Sequence, residues 1–145
     1  MSLSFDTDVL VIGAGPAGAV AATLLHRAGH RVQVVEKQHF PRFSIGESLL
    51  PQCMAYRHEA GMLEAVEAAG FQLKNGAAFA WGERRTHFRF DEKFSPGWGY
   101  TYQVERARFD QILADQARLQ GVEVRFGISL ETFQYQDGGV HARLR

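Results

Sequence analysis

The segment that most constrains this chain is "TDVLVIGAGPAGAVAATLLHRAGHRVQVVE", residues 7–36. An apolar run ends in glycines, which is the pattern of a buried strand entering a tight turn. Pro16 then suits the first turn of a helix, where its missing N–H breaks no intrahelical bond. Ala17, Ala21, Leu24 and Ala28 fall on one helical face, and Gly29 is placed to end the helix. "RVQVVE" reads as a second strand. Two parallel strands joined by a crossover helix make a βαβ unit, so the expected class is α/β and Rossmann-like.

Gly13, Gly15 and Gly18 give G-x-G-x-x-G between that strand and that helix. Gly13 permits the turn, Gly15 lets a pyrophosphate approach the backbone, and Gly18 lets helix and strand pack closely. Pro16 and Ala17 complete the loop. N–H groups at the helix start, aided by the helix dipole, favour an anion there. Six residues of this kind are a weak signal alone, and a bare glycine turn without ligand is the competing reading. Here an acid closes the next strand. Glu36, eighteen residues past Gly18, can accept hydrogen bonds from both ribose hydroxyls of an adenosine. A carboxylate at that place repels a 2′-phosphate, which disfavours NADP and leaves NAD and FAD.

The rest of the chain bounds the alternatives. Sixteen basic residues balance sixteen acidic ones, and no basic tract appears, which argues against nucleic-acid binding. The apolar runs are too short for a membrane span, and no signal peptide precedes the first strand. Cys53, the single cysteine, excludes an internal disulfide framework and suits a cytoplasmic setting. The opening "MSLS" reads in part as an expression remnant. His26 and His30 stand at a metal-binding spacing, but Gly29 separates them and no third ligand is evident. No metal is expected, and a charge at the helix C-terminus is the simpler role.

Farther along, "SLLPQCMAYRHEAGMLEAVEAAG" reads as two helical pieces broken near Gly61. "AAFAWG" and "THFRF" read as paired strands around a turn at "ERR", and "GWGYTYQV" as another strand. Phe109, Ile112, Leu113 and Ala117 recur at helical spacing until Gly121. "VEVRF" resumes the sheet, and "LETFQYQDGGVHARLR" reads as a hairpin with an Asp-Gly-Gly turn. Trp81, Trp98, Tyr100 and Tyr102 are either strand-packing aromatics or the frame of an aromatic ligand. No repeat or linker marks a boundary, so residues 1–145 are expected to form one region.

A plain NAD domain would pass soon into another crossover helix after Glu36. Instead "EKQHFPRFSIGESLLP" intervenes. Lys37 and Arg42 bring positive charge, and Gly46-Glu47-Ser48 brings backbone N–H groups and a hydroxyl beside a long cofactor. A solvated loop in which Ser48 caps the next helix explains the same residues.

"GAGPAG", "EK…FPRFSIGESLLP", "GFQLKNGAAFAWG" and "YQVERARFD" resemble, in order and spacing, the amino-terminal region of flavin-dependent halogenases. They look most like the branch acting on phenols and pyrroles. Aromatic hydroxylases and geranylgeranyl-reductase-like flavoproteins share them less closely. The resemblance implies FAD, with the Gly46–Ser48 loop beside the flavin and Arg106 reaching its phosphates. A surface arginine beside Glu105 is the plainer alternative for Arg106. It further implies that Lys74 is the catalytic lysine. In such enzymes a flavin hydroperoxide meets halide, and the resulting hypohalous acid reaches the lysine, then an electron-rich ring. A solvated lysine beside an Asn-Gly turn is the plainer alternative for Lys74. Implied partners are a small aromatic substrate, free or carrier-tethered, a halide and a separate flavin reductase. The second flavin Gly-Asp motif and the W-x-W-x-I-P segment of halogenases do not occur here. The chain is therefore expected to be an amino-terminal fragment, inactive alone, with a monooxygenase, a reductase or a non-catalytic nucleotide-binding module as alternatives.

Overall fold

A computed structural model describes residues 6–136 and 138–145. The "MSLS" start and Asp137 of the Asp-Gly-Gly turn lie outside the described residues. The chain divides into two compact units, one made of the residues up to Arg42 with Asp110–Arg145, the other of Phe43–Phe109. The joints fall at Arg42–Phe43 and inside a helix. Neither carries a linker composition, which is why the sequence showed no boundary.

In the first unit β1 (Val9–Ile12), α1 (Pro16–Arg27) and β2 (Val32–Glu36) form the expected βαβ crossover, with β1 and β2 parallel and Val9 opposite Val32. The helix α4 (Arg106–Leu119) leads into β8 (Glu123–Phe126), which pairs parallel on the other side of β2. β2 is therefore the central strand, and four of its five residues are buried. Asp8 and Arg31 clasp the strand starts at 2.7 Å, and the guanidinium holds the Asp8 carboxyl below the usual carboxylate range. β9 (Leu130–Gln136) and β10 (Gly139–Leu144) form the antiparallel hairpin. Gly29 and Gly121 both take positive φ and end α1 and α4 as expected.

The buried face of α1 differs from the expected one. Ala17, Ala21 and Ala28 are exposed, while Ala19, Ala22 and Thr23 are buried. Gly18 sets this rotation: a Cβ at Gly18 would strike the Gly13 carbonyl oxygen and approach Val11. Alanines occur all round this helix, so their spacing could not reveal which face meets the strand.

In the second unit the two helical pieces are α2 (Gln52–Glu59) and α3 (Leu63–Ala68), separated at Gly61 with φ +66°. A three-stranded sheet has β7 (Thr101–Val104) at its centre, flanked by β3 (Glu47–Ser48) and β4 (Gln72–Lys74). Both flanking strands are short and were not distinguishable from loop in the sequence. Ser48 lies in β3 opposite Gln103, and α2 is capped by Pro51, so Ser48 is no helix cap. β5 (Gly76–Trp81) and β6 (Arg84–Arg89) form the expected hairpin. Its turn is Gly82-Glu83, with Gly82 at φ +57°, rather than "ERR"; Arg84 and Arg85 belong to the strand.

Candidate functional site

The glycine turn is built almost wholly from backbone. Gly13 takes φ +100°, and a Cβ there would meet nothing within 4 Å, so the space in front of the turn is open. Gly15 is the N-cap of α1 and Pro16 follows at the first helical position. No side chain caps this end, and its first turn carries no acid. An uncapped helix start facing open space is a receptor for an anion. Glu36 is 6% exposed. Its Oε2 accepts from the Ala14 N–H and its Oε1 from the Gln38 N–H, both at 3.0 Å. The carboxylate thus holds the loop in shape, and each oxygen keeps a second lone pair for an incoming hydroxyl. The Ala14 contact was not legible in the sequence, because nothing at residue 14 marks it. These features fit the diphosphate and ribose of a dinucleotide.

The second unit gathers the other candidates around β7. Gly46, Glu47 and Ser48 are exposed. They border a groove of about 460 Å³ that also meets Gln72, Gln103 and Arg108. Arg106 Nη1 donates to Glu47 Oε2 at 3.1 Å, so two residues 59 apart in sequence lie at one edge. Lys74 is half-buried at the end of β4. Its Nζ donates to the Leu49 carbonyl at 2.9 Å and lies 5.2 Å from the centre of the Phe90 ring. The Asn75-Gly76 step is exposed at Asn75 but is no turn: the Asn75 carbonyl accepts from Phe90 N, and a Cβ on Gly76 would strike the Phe88 carbonyl. This closeness of β6 explains the glycine.

Two candidates remain, both in the first unit. Lys37 is exposed beyond β2. Arg42 Nη2 donates to Asp110 Oδ2 at 3.1 Å, the side chains being 19% and 1% exposed, and its guanidinium lies over Phe40. Its Nε is buried without a hydrogen-bond partner. Asp110 is the residue that sequence reasoning missed; an aspartate one step after a helical apolar position gives no sign of burial.

Arg57 is also buried, over the Phe109 ring, with its pKa pushed down by desolvation and partly restored by Cys53. Trp98, Tyr100 and Tyr102 meet edge to face, whereas Trp81 is 87% exposed on its hairpin and packs no strand. Desolvation first, then the hydrogen bond to Glu67 at 2.9 Å, push the Tyr100 phenol up to about 12. Among the described residues no group of three or more His, Cys, Asp or Glu is placed to hold a metal ion. Nor is any helix there long and apolar enough to cross a membrane.

A Rossmann-like sheet with an open glycine turn and a ribose-ready acid defines a dinucleotide-binding protein. Residues 6–145 match the model of the FAD binding domain, and the chain belongs to that family. FAD is accordingly its cofactor. The chain is 45% identical over 135 residues to a tryptophan 2-halogenase of Chondromyces crocatus, covering 93% of this chain and 25% of that protein. Among solved structures it resembles a flavoprotein/dehydrogenase of Cytophaga hutchinsonii, with TM-score 0.86 and 47% identity over 94% of this chain and 37% of that one. It also resembles the myxobacterial chondrochloren halogenase, an FAD-dependent enzyme, with TM-score 0.86 and 36% identity over 96% of this chain and 33% of that one. The chain spans about a quarter of the length of that curated relative.

Proposed function

We propose that this chain is the FAD-binding portion of a flavin-dependent halogenase acting on an electron-rich aromatic, a phenol or a pyrrole. Residues 1–145 make up the amino-terminal part of the FAD-binding domain. The N–H groups of the Gly13–Gly18 turn, with Gly15, Pro16 and Ala17 shaping the helix start, receive the pyrophosphate. Glu36 accepts the ribose hydroxyls. The Gly46-Glu47-Ser48 segment runs beside the flavin rings, and Arg106, steadied by Glu47, supplies positive charge to the phosphates. Lys37 adds positive charge near the adenosine half, and Arg42, whose charge Asp110 balances, is the further candidate to meet phosphate or ribose. When bound and reduced, FAD would activate molecular oxygen, the oxidant, and so deliver the two-electron oxidation that converts halide to hypohalous acid with water as the other product.

Lys74 is the residue of this chain that would receive that acid. Its ammonium can donate a hydrogen bond to hypohalous acid and polarise the halogen toward the ring. Alternatively its neutral amine takes the halogen, R–NH₂ + HOX giving R–NHX + H₂O, and passes it on. The observation that carries the reading is the placement of Lys74, half-buried and held at Nζ by the Leu49 carbonyl next to the Gly46–Ser48 segment. The implied partners are a small aromatic substrate, free or tethered to a carrier protein, a halide ion and a separate flavin reductase. A reducing cytoplasmic setting accords with the free thiol of Cys53. Substituting Lys74→Ala in the holoenzyme that carries this chain should abolish halogenated product while the flavin absorbance is retained. Full halogenation by that variant would overturn the assignment.

A second reading, an FAD-dependent monooxygenase or geranylgeranyl-reductase-like oxidoreductase, is favoured by the similarity to the Cytophaga flavoprotein/dehydrogenase. Rapid NADPH oxidation by the holoenzyme without a partner reductase would select it.

A further inference from the structure

The sheet of the second unit strands one polar atom. Thr101 is fully buried, and its Oγ1 has no hydrogen-bond partner. A buried hydroxyl in that condition carries its desolvation penalty uncompensated, so its retention calls for a reason. In the β4–β7 register Thr101 stands directly opposite Lys74. Directly opposed residues share a face of the sheet, with Cβ atoms about 4.5–5.5 Å apart. On the other edge of β7, Leu49 N donates to the Tyr102 carbonyl at 3.1 Å. That bond brings in the Leu49 carbonyl, the acceptor for Lys74 Nζ. The stranded hydroxyl, the lysine and its carbonyl anchor therefore occupy one short stretch of the sheet.

A lysine ammonium has three donors. Leu49 takes one, and the Phe90 face attracts the charge without fixing its direction. A single anchor leaves the flexible stem free to swing about that bond, whereas a group meeting a reactive atom must be held in place.

We propose that Thr101 is a positioning residue for Lys74. Rotation of the lysine stem lets its ammonium donate to Thr101 Oγ1 as well as to the Leu49 carbonyl. Nζ is then pinned by two acceptors, and its third N–H is left for the incoming halogen species. This rests on the halogenase reading of Lys74.

The test uses the holoenzyme with Thr101→Val, which keeps the shape and removes the hydroxyl, and with Thr101→Ser, which keeps the hydroxyl. The readouts are halogenated product, flavin absorbance, and the rate at which acetic anhydride labels Lys74, followed by mass spectrometry across pH. Thr101→Val should lower product formation about tenfold, the scale of one hydrogen bond to a charged group. Lys74 should label several-fold faster at a given pH, because its ammonium has lost an acceptor, and flavin absorbance should be unchanged. Thr101→Ser should restore both values. If the valine variant does not fold, the comparison is made between Thr101→Ala and Thr101→Ser.

A Thr101 that merely fills space predicts a valine variant that is more stable, with labelling unaltered; that result overturns the proposal. So does a serine variant no better than valine. Lys74→Ala serves as the control. If it still halogenates, the catalytic reading of Lys74 is lost, while the labelling of Lys74 in the Thr101 variants still reports on the contact itself.

Discussion

The glycine turn of the first unit and the lysine-bearing sheet of the second reach function by opposite means. At the turn the proposed contact with FAD is through backbone, and residues are suited by what they lack: no Cβ at Gly13 or Gly18, no side-chain cap on α1. In the second unit the proposed functional groups are long side chains placed by partners distant in sequence, Lys74 at the end of β4 by Leu49 and Arg106 at the start of α4 by Glu47. Backbone sites need particular residue types at particular spacings and leave a pattern. Side-chain sites are specified by strand pairing and leave little. The first kind tolerates almost no substitution at its glycines, whereas the second should degrade one hydrogen bond at a time.

The largest effect should come from Gly18→Val. Its added carbons meet the Gly13 carbonyl, and helix and strand must separate. We expect loss of flavin absorbance and about 3 kcal/mol of stability, read by denaturant unfolding. A variant that stays yellow and stable would remove the distinction between the two regions. Next is Asp110→Ala, which strands the half-buried Arg42 guanidinium. Breaking a fully buried pair costs about 3–5 kcal/mol; with Arg42 partly exposed, about 2–3 is expected.

Glu36→Gln should be milder. One amide oxygen still serves a backbone N–H, so FAD affinity should fall about tenfold by calorimetry, the scale of a single charged hydrogen bond. An unchanged affinity would assign Glu36 to loop shape alone.

The smallest effect concerns Tyr100, whose phenol is pushed up to about 12 from its ordinary 10. The folded state holds that proton more tightly than the unfolded chain, so its contribution to stability is complete below about pH 10 and is lost as pH rises towards 12. Tyr100→Phe should flatten that part of the stability profile, and one tyrosine should disappear from the high-pH end of an absorbance titration. Glu67→Gln should move the same titration to lower pH.

The difference between the two regions also decides what was legible beforehand. β1, α1 and β2, with Glu36 at their end, could be read because apolar runs, Pro16 and the glycines each constrain local backbone. The face of α1 could not, since alanine fits either a buried or an exposed position and Gly18 alone sets the rotation. β3 was unreadable because it has two residues, both exposed, and exists only through its bonds to β7. Lys74 was singled out by resemblance, not by physics; its anchor on Leu49 lies 25 residues away. Asp110 and Thr101 sit among ordinary helix and strand residues, and their burial is a property of tertiary packing that no local pattern carries.

The most direct measurement is a crystal structure of the holoenzyme with FAD bound. The pyrophosphate should lie at the start of α1 against the Gly13–Gly18 turn, with the ribose hydroxyls on Glu36 and the rings alongside Ser48. A flavin bound elsewhere, with the glycine turn vacant or closed by a side chain, would contradict the account.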